Sequence, residues 1–151
     1  MEKDSSRKVT VSCPFCLTLN RVDVGRVAQN PKCGDCGKPI LLDRPVRVTD
    51  ADFQRVISHS DVPVMVDFYA DWCAPCRELD EKTFADPRVA GILDGFVRFK
   101  VDQTRASKEA VALAREFDVL GVPTVMVYRD GEEIFRITGF EPPEQFLKRI
   151  E

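Results

Sequence analysis

Six cysteines punctuate the chain, and all of them fall into Cys-x-x-Cys pairs: Cys13 with Cys16, Cys33 with Cys36, and Cys73 with Cys76. Two residues between paired thiolates let both sulfurs reach one cation from a tight turn. The first two pairs, in "CPFC" and "CGDC", are separated by 16 residues. Two such knuckles supply four ligands in a tetrahedron, which suits zinc. Pro14, Gly34 and Gly37 stand where the knuckles turn. Four thiolates leave no open position for water or substrate, so one structural zinc ion is the expectation. Two disulfides or a rubredoxin-like iron site are the alternatives, and oxidation of the thiolates with loss of metal would make the module a sensor.

Cys73 and Cys76, in "DWCAPC", have no further pair with which to share a metal. They stand where an apolar run ends and a helix is expected to begin. The free amides and the dipole at a helix start favour a thiolate over a thiol. Cys73, first in the helix, is expected to be exposed, partly ionised and the attacking sulfur. Cys76, one turn further in, can then attack Cys73 and release the substrate. The pair is therefore expected to cycle through a redox-active disulfide.

The elements that must position these groups can be read from pattern. Residues 9–42 hold many turn residues and few apolar ones, too few to sustain a core without a staple. Residues 1–8 are polar and expected to be disordered, and residues 41–45 look like the join. Residues 46–48 form a candidate strand, followed by a helix with Thr49 or Asp50 as N-cap. Residues 62–70, "VPVMVDFYA", read as a central strand buried on both faces. A helix follows from Cys73, and another restarts at "DPRVAGIL", with Asp86 as cap and Pro87 in first position. A strand over 96–102 and an amphipathic helix over 107–117 come next. A strand, an Asp130–Gly131 turn and a second strand then form a hairpin, and a helix closes the chain. The order β-α-β-α-β-α-β-β-α implies an α/β fold, with a mixed central sheet flanked by helices. A small zinc-ribbon-like module precedes it. The expected divisions are 9–44 for the zinc-binding four-cysteine module and 45–151 for the catalytic domain.

Charge separates along the same line. Residues 1–44 carry a net +3 and residues 45–151 a net −6. The N-terminal excess lacks the dense Lys/Arg cluster that phosphate contact needs, so no nucleic acid is expected as partner. No run of apolar residues is long enough to span a bilayer, and the first residues lack a secretory pattern. A cytoplasmic protein is expected, where paired cysteines serve metals or redox chemistry.

These residues carry a resemblance. "VMVDFYADWCAPC" resembles the active-site strand and motif of the thioredoxins, "GVPT" their cis-proline loop, and "YRDGEEIFRITG" their last hairpin. The resemblance covers 45–151, and the cysteine knuckles ahead of it resemble the zinc-binding thioredoxin 2 type. It implies a thioredoxin fold and protein disulfide reduction, with Cys73 attacking and Cys76 resolving. It also implies that Asp67 exchanges a proton with Cys76; an Asp inside an apolar run is costly unless it is paired or functional. Trp72, Ala74, Pro75, Val122, a cis Pro123 and Gly139 would form the substrate surface. Arg98 falls where the family commonly has a lysine near the buried acid, or is a solvated strand residue. The implied partners are disulfide-bearing proteins and a thioredoxin reductase as donor, acting on a monomer.

The chain also departs from the family. Ala74 stands where glycine is usual, and Tyr69 where tryptophan is frequent. "RELDEKTFADPRVAGIL" resembles the C-terminal domain of bacterial transmembrane thiol–disulfide interchange proteins, whose donor is a membrane domain. Two other functions fit the pattern less well. One is a zinc- and redox-sensing binding protein, which has no need of Asp67, Cys73, Cys76 and Pro123 together. The other is an oxidase or isomerase, against which the "AP" dipeptide, close to the reducing "GP" type, argues. His59 is expected at the surface, and Met65 and Met126 in the core.

Overall fold

The computed structural model describes residues 8–13, 15–16, 18–24, 30–40, 46–47 and 53–150. The expected turn at Pro14, the join at 41–45 and the cap at Thr49 or Asp50 lie outside these residues, as do Val48 and residues 1–7. Five strands form the main sheet: β3 (Val46–Arg47), β4 (Val64–Tyr69), β5 (Val97–Asp102), β6 (Thr124–Arg129) and β7 (Glu132–Thr138). Their order is β3-β5-β4-β6-β7. β3 and β4 run parallel to β5, while β6 and β7 run antiparallel, so the sheet is mixed as expected.

The long apolar run becomes β4, at the centre. Its side chains alternate between two cores. Val64, Val66 and Phe68 join Val97, Phe99, Val101, Met126 and Tyr128 on one face, with Ile57 from α1 (Phe53–Ser58) and Leu113 from α4 (Lys108–Glu116). On the other face, Met65 joins Val125 and Val127 under Val89 and Leu93 of α3 (Pro87–Leu93) and Phe146 of α5 (Pro143–Ile150). Helices thus cover both faces.

Local chemistry sets the remaining boundaries. Asp86 caps α3 by accepting from the Arg88 amide, with Pro87 in the first turn, where its missing N–H costs nothing. The β6–β7 turn places Asp130 and Gly131 at φ of 54° and 81°, the left-handed pair such hairpins require. The helix after Cys73 differs from expectation. α2 spans Ala74–Glu78 and continues as a π-helical segment, Leu79–Thr83, in which the Phe84 amide donates to the Leu79 carbonyl at 2.8 Å. The wider turn buries Leu79 and Thr83 while leaving Asp80 half-exposed.

The N-terminal module is more regular than its composition suggests. β1 (Lys8–Ser12) and β2 (Leu19–Asp23) pair antiparallel, and the loop between them carries the first knuckle. Val9, Val11, Val22, Cys33 and Ile40 are buried in the same cluster as Ile57, Val62 and Val64. So few apolar groups cannot make a core of their own, and the neighbouring domain supplies the rest. Polar bonds close the seam. The Asp61 amide donates to the Lys8 carbonyl at 2.8 Å, and the Lys8 amide donates to Asp61 Oδ2 at 2.9 Å. Arg21 donates to the His59 carbonyl and to Thr10 Oγ1, and lies 3.7 Å from Asp61. His59 itself is exposed, as expected.

A shared core has a measurable consequence. Deleting residues 1–44 is expected to lower the unfolding free energy of the remaining domain by about 2 kcal/mol or more, since burying one such side chain contributes about 1.5–3 kcal/mol. Denaturant unfolding of the two proteins checks this, and equal midpoints would show that the seam contributes nothing.

Candidate redox site and metal centre

β4 ends at Tyr69, and after four intervening residues the chain enters α2 at Ala74. Cys73 is the N-cap of that helix: its Sγ accepts from the Cys76 amide at 3.2 Å. Pro75 occupies the first turn, where no intrahelical donor is lost. Cys73 and Cys76 are joined in a disulfide, with Cα atoms 5.3 Å apart. Ala70 is buried with the two sulfurs, and Tyr69 and Val122 pack against them. The expectation of an exposed Cys73 is corrected here, since only 4% of its surface is accessible. In the disulfide state both sulfurs turn into this apolar cluster, and Ala74 and Pro75 are the exposed part of the motif.

The loop opposite belongs to the residues before β6. The Val122–Pro123 peptide is cis, as the resemblance implied. Pro123 is buried, and its carbonyl accepts from the Gly139 amide at 3.0 Å, which ties the end of β7 to this loop. Gly139 has a φ of 81°, a conformation that favours glycine. Trp72 is 66% exposed beside the disulfide, and its indole N–H donates to the Thr104 carbonyl at 3.1 Å. Of the residues expected at the substrate surface, Val122 packs against the sulfur pair, Pro123 follows it and is bonded to Gly139, and Trp72, Ala74 and Pro75 adjoin the two cysteines in the chain.

Asp67 lies in the middle of β4, only 5% exposed, and its Oδ1 has no hydrogen-bond partner. Its side chain is therefore inside the core and does not face solvent. The β4–β5 register sets it opposite Lys100, and Arg98 is on the same face two residues earlier. Burial pushes the Asp67 carboxyl up to about 6; Lys100 opposes the rise, Asp80 adds to it, and Arg98 opposes it more weakly. Lys100 Nζ is 3.3 Å from Asp80 Oδ2 and 4.5 Å from the centre of the Tyr69 ring. Arg98 lies over the Phe84 ring at 5.4 Å, with its Nε buried and without a partner. A cavity of about 380 Å³ is lined by Asp80, Phe84, Ala85, Arg98 and Lys100. Sequence reasoning finds Arg98 but not Lys100 or Asp80. The alternation of β5 shows that 98 and 100 share a face, but only the register shows which face.

The other four cysteines come together as expected. All four sulfurs lie within 4.8 Å of one another. Cys13 and Cys36 Sγ are 3.6 Å apart, as are Cys16 and Cys33 Sγ. A tetrahedron with metal–sulfur bonds of about 2.3 Å has edges of about 3.8 Å, so the spacing fits zinc. The Phe15 and Asp35 amides point at Cys13 and Cys33 Sγ, each at 3.4 Å, and Asn20 Nδ2 points at Cys33 Sγ at 3.5 Å. These donors favour thiolates, and Cys33 is lowered to about 6, chiefly by the Cys36 amide and then by Asn20. At Cys36 the Lys38 amide favours the thiolate, but burial and the three neighbouring sulfurs outweigh it and push the group up to about 11. Without a cation four thiolates repel one another, and a dication removes that repulsion.

Comparison with known proteins agrees with both halves. A family model described as a thioredoxin-like domain matches residues 49–151, and one described as thioredoxin 2, N-terminal, matches 12–38. Thioredoxin C-3 of Corynebacterium nephridii is 30% identical over 131 residues, covering 85% of this chain and 84% of that protein. The thiol:disulfide interchange protein DsbD of Haemophilus ducreyi is 40% identical over 111 residues, covering 72% of this chain but only 19% of that longer protein. The crystal structure of the Neisseria meningitidis DsbD C-terminal domain in its oxidised form superposes with a TM-score of 0.52 at 33% identity, covering 66% of this chain and 84% of that one. The chain belongs to the thioredoxin-like family, and Cys73–Cys76 is its thiol–disulfide site. The mixed resemblance of the middle region, part thioredoxin and part DsbD, is likewise present.

The burial of Asp67 has a definite pH signature. Its folded pKa lies above the ordinary 3.8, so the charged form costs stability; that cost is absent below about 3.8 and complete above about 6. The full shift corresponds to about 3 kcal/mol. Asp67→Asn is therefore expected to be more stable than the parent near neutrality, with the gap growing by about 1 kcal/mol between about pH 5 and about pH 8. Denaturant unfolding of both oxidised proteins measures it. A gap that stays constant or narrows would mean that the carboxylate is well solvated or paired.

Proposed function

We propose that the chain is a cytoplasmic protein disulfide reductase. The observation that carries this reading is a disulfide at a helix N-cap beside a cis-proline loop, with a buried acid in the strand that leads to it. Reduced Cys73, as thiolate, attacks one sulfur of a substrate disulfide. A Cys73–substrate disulfide forms, and the first substrate sulfur leaves as a thiolate. Cys76 then attacks Cys73 Sγ, the second substrate sulfur leaves, and the Cys73–Cys76 disulfide is the product. The dipole of α2 and its free amides favour the thiolate at Cys73.

Asp67 takes the proton that Cys76 must lose. A carboxyl raised to about 6 exchanges protons near neutral pH, where an ordinary aspartate is too weak a base. Substrate lies across Trp72, Ala74, Pro75, Val122, Pro123 and Gly139. Residues 9–44 hold one structural zinc through Cys13, Cys16, Cys33 and Cys36, and residues 45–151 carry out the exchange. Four metal-bound thiolates persist in a reducing compartment, which supports the cytoplasm. A thioredoxin reductase is the electron donor, and the protein works as a monomer. The chain spans about a fifth of the DsbD relatives, so a membrane-domain donor is the competing supply, to be separated by assay with purified reductase.

Dithiothreitol-driven reduction of insulin tests the central reading: no acceleration over dithiothreitol alone would sink it. Cys73→Ser should abolish turnover, and Cys76→Ser should accumulate a mixed disulfide visible by mass spectrometry. An adduct on Cys76 of the Cys73→Ser protein would reverse the two roles. For the metal centre, elemental analysis should return one zinc per chain. Chelation should remove hydrogen-exchange protection from Val9, Val11 and Val22 while β4 to β7 keep theirs; unchanged protection in β1 and β2 would refute a structural zinc.

A further inference from the structure

Thr83 is completely buried at the end of the π-helical segment that continues α2. A threonine hydroxyl inside a helix ordinarily bonds a carbonyl one turn back. Thr83 Oγ1 instead donates to the Glu141 carbonyl, 58 residues further along the chain. Glu141 is also buried, and its side chain is held as well. Arg149 of α5 donates from Nε to both carboxylate oxygens at 2.9 Å, and its Nη2 lies 2.7 Å from Oε2. One residue is thus tied to two helical segments, by its main chain and by its side chain.

The tie matters because of what lies beside Glu141. Gly139, two residues earlier, donates its amide to the Pro123 carbonyl at 3.0 Å. Val122, joined to Pro123, packs against the two sulfurs. Two residues of chain reach at most about 7 Å, and between them Phe140 packs into the second core. The contacts therefore close a ring. Cys76 lies in α2, α2 runs on to Thr83, Thr83 holds Glu141, and Gly139 returns the chain to the residues on the sulfurs. Phe84, next to Thr83, meets the Phe146 ring of α5 edge-on at 5.5 Å, so the segments stay packed without the hydroxyl. What the hydroxyl adds is a directional bond to the turn itself.

We infer that Thr83 is a positioning residue for disulfide exchange: its hydroxyl fixes the turn at residues 139–141 relative to the helix that carries the two cysteines. It acts through Glu141 and Gly139 rather than on the sulfurs. A protein substrate lies over Gly139 as well as the sulfurs and depends on that placement. A small disulfide needs only the attacking sulfur and does not. The inference rests on the reductase reading.

The experiment uses the full zinc-loaded chain, reduced and freed of reductant. Its single oxidation is followed with two substrates, insulin and bis(hydroxyethyl) disulfide. Thr83→Val keeps the shape, removes the donor and leaves a buried carbonyl unpaired. The second-order rate constant with insulin should fall about tenfold, while that with the small disulfide stays within about twofold of the parent's. Thr83→Ser, which keeps the hydroxyl, should restore the insulin rate. Lys82→Gln, at the exposed neighbouring position, should change neither rate. If Thr83→Val does not fold, Arg149→Gln decides, because it frees the Glu141 side chain from a partly exposed partner; the same selective loss with insulin is expected. Equal losses with both substrates, or no loss, overturn the inference and leave the reductase reading standing. Failure of the parent to reduce insulin overturns both.

Discussion

β4 lies between β5 and β6 with both faces covered, and the redox site depends on that placement. A strand buried on both faces cannot shift register without moving every side chain to the wrong core. Its end is therefore fixed, and so is the start of α2 that follows. The disulfide inherits its position from the strand and its electrostatics from the helix. The cis-proline loop is fixed in the same way, since it feeds β6, the other neighbour of β4.

The same burial creates the problem that the second face must manage. A carboxylate inside a core is expensive, and Asp67 has one oxygen without a partner. Lys100 and Arg98 lessen the cost, but Lys100 is itself drawn to Asp80. Asp80 belongs to the π-helical segment that continues α2. Full neutralisation of Asp67 by a close cation would pull its pKa down. The observed arrangement leaves it raised, to about 6.

Much of this was legible in the sequence, for physical reasons that differ from element to element. The run at 62–70 reads as a central strand because no amphipathic pattern interrupts it, and Asp67 is conspicuous there for the same reason. The Asp130–Gly131 turn and the Asp86–Pro87 helix start are local chemistry. The four clustered cysteines of the N-terminal module declare themselves by spacing. What stayed hidden depends on contacts between distant segments. The pairing of Asp67 with Lys100 is a matter of register. The packing of Val9, Val11 and Val22 against α1 and β4 follows from which module lacks a core, but not from any residue in it. The burial of Cys73 arises from the disulfide state and its neighbours Tyr69 and Val122.

Cys73 does two jobs with one atom: its sulfur caps α2 and also takes part in the electron-carrying bond. Reduction replaces a disulfide sulfur by a thiolate, a far stronger acceptor for the Cys76 amide. The cap thus tightens when the protein is loaded with electrons. A thermodynamic cycle converts that gain directly into voltage: whatever steadies the reduced form makes it a poorer donor, by about 30 mV for each 1.4 kcal/mol. Helix capping and reducing power are therefore in opposition. A chain selected to give electrons away must keep this helix start less well satisfied than it could be.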